Sequence, residues 1–176
     1  QIVHLYCDQT PSEILDRFKK KVIKSLHQNG TAGESKDGMD IALCVIDFEN
    51  LTLQFAGANN PLYIVRDNQT LDESSEFIEL KGDRMPIGFS FRHDPFTTHQ
   101  QALKKNDMLY FFTDGYQDQI SNITREKFKR KKIRGLLQGI YKESMDEQKN
   151  LIELTFEGYR DEFPQIDDIL VFGLKI

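Results

Sequence analysis

The amino-acid sequence predicts an α+β domain built on antiparallel strands. Two observations carry that expectation. Amphipathic segments with helix-capping residues lie towards both ends of the chain. Between them, short apolar stretches are separated by turn residues, which indicates hairpins rather than the long crossovers of a parallel sheet. At 176 residues, a single domain over 1–176 is the expected organisation.

The elements follow in order. Ile2 to Tyr6 is a short apolar stretch with no polar lead-in. Thr10-Pro11-Ser12-Glu13 is a capping box with proline at the first helical position. Ile14, Leu15, Phe18, Val22 and Leu26 recur at helical spacing until Asn29-Gly30, so a helix over 11–28 is predicted. Residues 30–38 form a loop. The apolar run Ile41 to Asp47 predicts a buried strand, and Glu49-Asn50 a turn. Leu51 to Phe55 alternates as a second strand, broken by Gly57-Ala58-Asn59-Asn60-Pro61 and resumed over Leu62 to Val65. Phe77 to Leu80 is a short strand, and Phe96 to Leu103 an exposed or edge strand. Met108 to Thr113 is a hydrophobic strand. Lys129 to Ile140 is a basic helix. Ser144 to Glu147 is a second capping box opening a helix that Phe163-Pro164 ends. Ile169 to Ile176 is the final strand.

Composition narrows the function classes. The 13 Phe and 6 Tyr supply large core side chains, which argues against disorder. A net charge of −5 argues against general nucleic-acid binding. No apolar run has the ~18 residues of a membrane span, and the start lacks the layout of a signal peptide. Cys7 and Cys44 form no CxxC pair, so they read as buried free thiols of a reducing cytosol. His4, His27, His93 and His99 have no ligand spacing and read as surface residues. The basic run Arg125 to Arg134 reads as a solvated helix face, or as a docking surface for an acidic partner.

Acidic residues at the ends of hydrophobic strands are the candidate site. A buried strand fixes a carboxylate at the rim of a sheet, where a hard cation can use it. Met108 to Phe112 runs into Thr113-Asp114-Gly115, with Asp118 four residues past Asp114. Asp167-Asp168 stands just before Ile169 to Phe172. One strand ends in an acidic residue and the other begins after one, so antiparallel neighbours would bring both to one edge. Such a pair suits Mg²⁺ or Mn²⁺. On spacing alone, an Asp-Gly turn and a solvated Asp-Asp loop are the readings to beat.

Several stretches together resemble the SpoIIE/RsbU-type serine phosphatases, a branch of the metal-dependent PPM superfamily. Leu53 to Leu62 resembles the strand followed by A-G-H-N-P-P, and Met85-Pro86-Ile87-Gly88 resembles the P-L-G loop. Asn106 to Gly115 resembles G-D-x-L-x-L-Y-T-D-G, and Asp167 to Val171 the closing D-D-I-T-L-L-V. The resemblance implies an antiparallel β-sandwich flanked by helices. It implies two Mn²⁺ or Mg²⁺ ions that activate a water for in-line attack on phosphoserine or phosphothreonine. Asp114 and Asp167 would be metal ligands, and Asp118 would help hold a further ion. Gly115, Asp168 and Asn59 would lie near the site, Asn59 standing where the family has His.

The chain contains neither the Gly-Asp segment nor the Asp-x-Ser-Gly-His-Gly segment with which the family's domain begins. The expectation is therefore a partial domain lacking the N-terminal strands, inactive alone. Its expected role is a serine/threonine phosphatase of bacterial signalling. Its expected partners are a phosphorylated regulator resembling an anti-sigma-factor antagonist, an N-terminal sensor domain of a longer chain, and a second copy in a homodimer. Neither nucleic acid nor membrane contact is expected, and the location is cytoplasmic. The alternative is a non-catalytic sandwich serving as a protein-binding platform.

Overall fold

The computed structural model describes residues 9–28, 30, 37–67, 75–92 and 94–176. These fall into two compact units: Gln1–Leu62 with Leu80–Leu103, and Tyr63–Glu79 with Lys104–Ile176.

In the first unit, α1 (Pro11–Ser25) starts from the predicted capping box. The Thr10 amide donates to Glu13 Oε2 at 2.8 Å, and the Glu13 amide donates to Thr10 Oγ1 at 3.5 Å. Those Thr10 bonds hold the Glu13 carboxyl below its ordinary range. The helix ends three residues before the predicted 28, because His27 takes a left-handed φ of 51°. Strands β1 (Ile41–Asp47), β2 (Thr52–Ala58) and β5 (His99–Ala102) form a sheet in the order β1-β2-β5. Both pairings are antiparallel, with Ile41 opposite Ala58 and Thr52 opposite Ala102. Asp47 Oδ1 accepts the amides of Glu49 and Asn50 and fixes the first hairpin. Leu15, Ala56, Ala58, Met85, Ile87 and Phe96 make this unit's core.

Two expectations are corrected here. The run over 41–47 is not a buried strand: it is an edge strand, and Val45 is 47% exposed. Cys44, on that strand, is a free thiol that is only half-buried, enough to push its pKa up; Cys7 lies outside the described residues, as do His4 and His93.

In the second unit, β3 (Leu62–Asp67), β4 (Ser75–Leu80), β6 (Met108–Phe112) and β7 (Val171–Lys175) form a sheet in the order β4-β3-β6-β7. β6 and β7 pair antiparallel from Met108 opposite Lys175 to Phe112 opposite Val171. Helices α2 (Asp114–Asp118), α3 (Lys129–Ile140) and α4 (Met145–Arg160) belong to the same unit. Tyr110, Tyr116, Phe128, Ile133, Leu137 and Phe156 are central to its core. The five-residue α2 replaces the predicted turn. Ser144 caps α4 by accepting the Glu147 amide at 3.2 Å. Among the described residues, no helix is long and apolar enough to cross a membrane.

Candidate functional site

The site builds outward from β6, whose Met108, Leu109 and Tyr110 are at most 1% exposed. Past Phe112 the backbone ladder to β7 continues through one side chain. The Thr113 amide donates to the Leu170 carbonyl at 3.1 Å. Its hydroxyl donates to the Asp168 carbonyl at 3.1 Å and accepts the Leu170 amide at 2.9 Å. Thr113 precedes α2 but makes no side-chain capping bond there, because its hydroxyl is committed to the β7 approach.

Gly115 completes the junction. A Cβ at this position would stand 2.5 Å from the Asp168 carbonyl oxygen and 3.1 Å from its carbon. Only glycine lets the two backbones approach so closely. The Asp-Gly segment and the Asp-Asp segment are therefore locked to each other beside one end of the β6–β7 pair.

Aromatic packing holds α2 in place. The Tyr116 hydroxyl donates to the Ile152 carbonyl at 2.9 Å, and its ring meets Phe112, Phe128 and Phe156 at 5.1–5.4 Å between centroids. Burial pushes the Tyr116 phenol well above its ordinary pKa, so it stays a neutral donor. Buried Gln119 donates from Nε2 to the Pro164 carbonyl at 3.1 Å, tying the end of α2 to the loop that carries Asp167.

Asp114, Asp167 and Asp168 are exposed, and no ion pair reaches them among the described residues. Asp167 Oδ1 accepts the Asp168 amide at 2.7 Å. Asp118 differs: it pairs with Lys127 at 2.9 Å, both side chains being roughly half exposed. Among the described residues, no group of three or more His, Cys, Asp and Glu side chains is placed to hold a metal.

At the opposite end of β6 stands Asp107. It is fully buried and pairs with Arg66 at 2.7 Å while accepting the Lys104 amide at 2.8 Å. Burial pushes its carboxyl up, against the pull of that amide and of the guanidinium.

Asn59 belongs to the first unit. It takes a left-handed φ of 59°, donates its amide to the Asp83 carbonyl at 2.8 Å, and donates from Nδ2 to Asp40 Oδ1 at 2.8 Å. Gly57 and Gly82 let this turn form: a Cβ on either would strike the Asn60 carbonyl, at 2.2 Å from Gly57 and 2.6 Å from Gly82.

Two contributors to the second unit's carboxylate edge escaped the sequence reading. Thr113 and Gln119 act through partners 45 to 57 positions away, which no local pattern reveals.

The α+β fold with its two antiparallel sheets is that of the PP2C-type phosphatase domains. The family model for Stage II sporulation protein E (SpoIIE) matches residues 4–176, and the chain belongs to the SpoIIE family. The SiaA-PP2C domain of Pseudomonas aeruginosa is similar, with 25% identity and a TM-score of 0.81 over 99% of this chain and 64% of that one. The chain thus spans under two-thirds of the SiaA chain. Two more distant structures share the fold. The manganese-presoaked SpoIIE phosphatase domain of Bacillus subtilis has 17% identity and a TM-score of 0.59 over 96% of this chain and 74% of that one. RsbX in complex with magnesium has the same identity and TM-score over 98% and 67%. No curated protein matches the chain.

Proposed function

We propose that the chain is the later part of the catalytic domain of a metal-dependent protein serine/threonine phosphatase in bacterial signalling. The observation that carries this reading is the lock between Gly115 and the Asp168 carbonyl, reinforced by Thr113. It keeps Asp114 and Asp167 on segments that cannot drift apart. Family membership and the Mn- and Mg-treated relatives support it.

The donors fit Mn²⁺ or Mg²⁺ in kind, because exposed carboxylate oxygens are the ligands such ions prefer. Asp114 and Asp167 would hold the ions, Asp168 would steady Asp167 through its amide, and Asp118 would reach a further ion on release from Lys127. When bound, the ions supply an activated water for in-line attack at phosphorus. Thr113 and Gly115 fix the spacing of the two ligand segments, and Tyr116 and Gln119 fix the bearing of α2. Two carboxylates leave each ion short of its six oxygens, so this chain alone is an incomplete catalyst.

The substrate is a phosphorylated regulator resembling an anti-sigma-factor antagonist, met in the cytoplasm by an output domain under an N-terminal sensor. A homodimer through the edge strand β7 fits its exposed Phe172 and the exposed Leu170 just before it. Assaying an aryl phosphate with the full-length protein and the 176-residue chain side by side tests the reading. The full-length protein should show Mn²⁺-dependent, chelator-sensitive turnover, and the chain alone none above buffer. Turnover indifferent to chelation would overturn it.

A further inference from the structure

The segment Arg125 to Arg134 holds seven cationic residues and one acidic residue, a local charge of +6. The remainder of the chain then carries −11, since the whole is −5. How these cations are held decides what the segment can do.

Three of the cations face carboxylates. Lys127 reaches Asp118 at 2.9 Å, Arg130 reaches Glu79 at 3.5 Å, and Lys129 reaches Glu126 at 3.8 Å. Three others lie over aromatic rings. The Arg134 guanidinium sits 5.0 Å from the Phe77 ring centre, Lys132 Nζ 4.2 Å from that of Tyr159, and the Arg125 guanidinium 5.5 Å from that of Phe163. Ring contacts restrain a long side chain without neutralising it. Lys131, on the exposed face of α3, has neither kind of partner among the described residues. The result is a positive strip in which Arg125, Lys132 and Arg134 need little further ordering to bind an anion, and Lys131 adds an exposed charge beside them.

Its position adds a direction. Lys127 bonds Asp118, and Arg130 Nε donates to Gln117 Oε1 at 3.0 Å, so the strip abuts the helix that starts at Asp114. A phosphoprotein nearing that carboxylate-rich edge is repelled there, and a cationic strip alongside offsets the repulsion. A long polyanion would also have to run past the rest of a chain whose net charge is −11, whereas a compact acidic face need touch only the strip.

We infer that the basic strip of α3 and its approach, centred on Lys131, Lys132 and Arg134, docks an acidic surface of the phosphoprotein substrate. The identity of the partner rests on the phosphatase reading above; the charge preference of the strip does not.

The probe is a fluorescein-labelled twelve-residue peptide with six acidic residues around one phosphoserine, titrated by anisotropy into the protein without metal. Duplex DNA and vesicles with phosphatidylserine are titrated in parallel. Saturable, salt-sensitive peptide binding is expected. Lys131→Glu with Arg134→Glu should weaken it about tenfold or more, while Lys20→Glu with Lys21→Glu on α1 should leave it unchanged. Lys131→Gln, a fully solvated change, should weaken it about two- to threefold even if the double variant folds poorly. No peptide binding, equal loss with the α1 variant, or tighter binding of DNA or vesicles would overturn the inference. Because the titration needs no turnover, a failed phosphatase assay leaves this result readable in its own right.

Discussion

The two ends of β6 carry the same kind of residue in opposite circumstances. Asp107, at the start, is sealed from water and held by Arg66. Asp114, just past the finish, is exposed and has no cation against it among the described residues. Both flank the same apolar strand, so the pattern of a carboxylate beside a buried strand does not separate them. The partner does. A buried pair such as Asp107–Arg66 organises the fold, and either half alone is a liability. An exposed carboxylate on a segment pinned by Thr113 and Gly115 has its oxygens available and its backbone fixed, as a ligand site requires.

The sharpest way to break the comparison is Asp107→Ala. It removes the carboxylate that pairs with the buried Arg66 guanidinium, and unfolding measurements should show a loss of about 3–5 kcal/mol. A loss under about 1 kcal/mol would mean that the remaining contacts of Arg66 or water satisfy it, and that the two ends of β6 differ little.

Next in size is Gly115→Ala. The added Cβ must displace the Asp168 carbonyl, so destabilisation of about 1–3 kcal/mol is expected, with the Asp167 segment moved. Thr113→Val removes the bonds to the Asp168 carbonyl and the Leu170 amide at nearly constant volume, and should cost about 1–2 kcal/mol in chemical denaturation. Neither change touches a carboxylate. If both leave stability intact, the lock is not what holds the two segments together.

A smaller effect of opposite sign sharpens the contrast between site and scaffold. Gly135 and Gly139 sit inside α3 with nothing within 4 Å of where a Cβ would go. Changing each to Ala should stabilise the protein by about 0.5–1 kcal/mol, read as a higher melting temperature. Destabilisation would show that α3 is packed against something at those positions.

Much of this was legible in the sequence. The capping box at Thr10 and the single cap at Ser144, which forms without the return bond from Glu147 that a full box needs, located two helices, because a cap is written in adjacent residues. The strands after Asp107 and after Asp168, whose acidic ends would meet if they were antiparallel neighbours, are such neighbours in the pairing of β6 with β7. Burial was less legible. The run Ile41 to Asp47 is apolar enough for a sheet centre, yet order β1-β2-β5 leaves it at an edge. Helix α2 was hidden because Asp-Gly is also a turn signal, and its anchor, Tyr116, reaches Ile152, 36 positions on. Asp107 could not be told from Asp114 by pattern, since Arg66 lies 41 positions before its partner. Pairings at that range are decided by topology.

The most direct test of the central claim is Asp114→Asn in the full-length protein, with aryl-phosphate turnover and melting temperature measured on the same sample. Turnover should fall about 100-fold or more, while stability stays within about 0.5 kcal/mol of the unaltered protein, because an exposed carboxylate supports no packing. Turnover within about twofold of the unaltered protein, or a melting temperature as low as that of Asp107→Ala, would contradict the account.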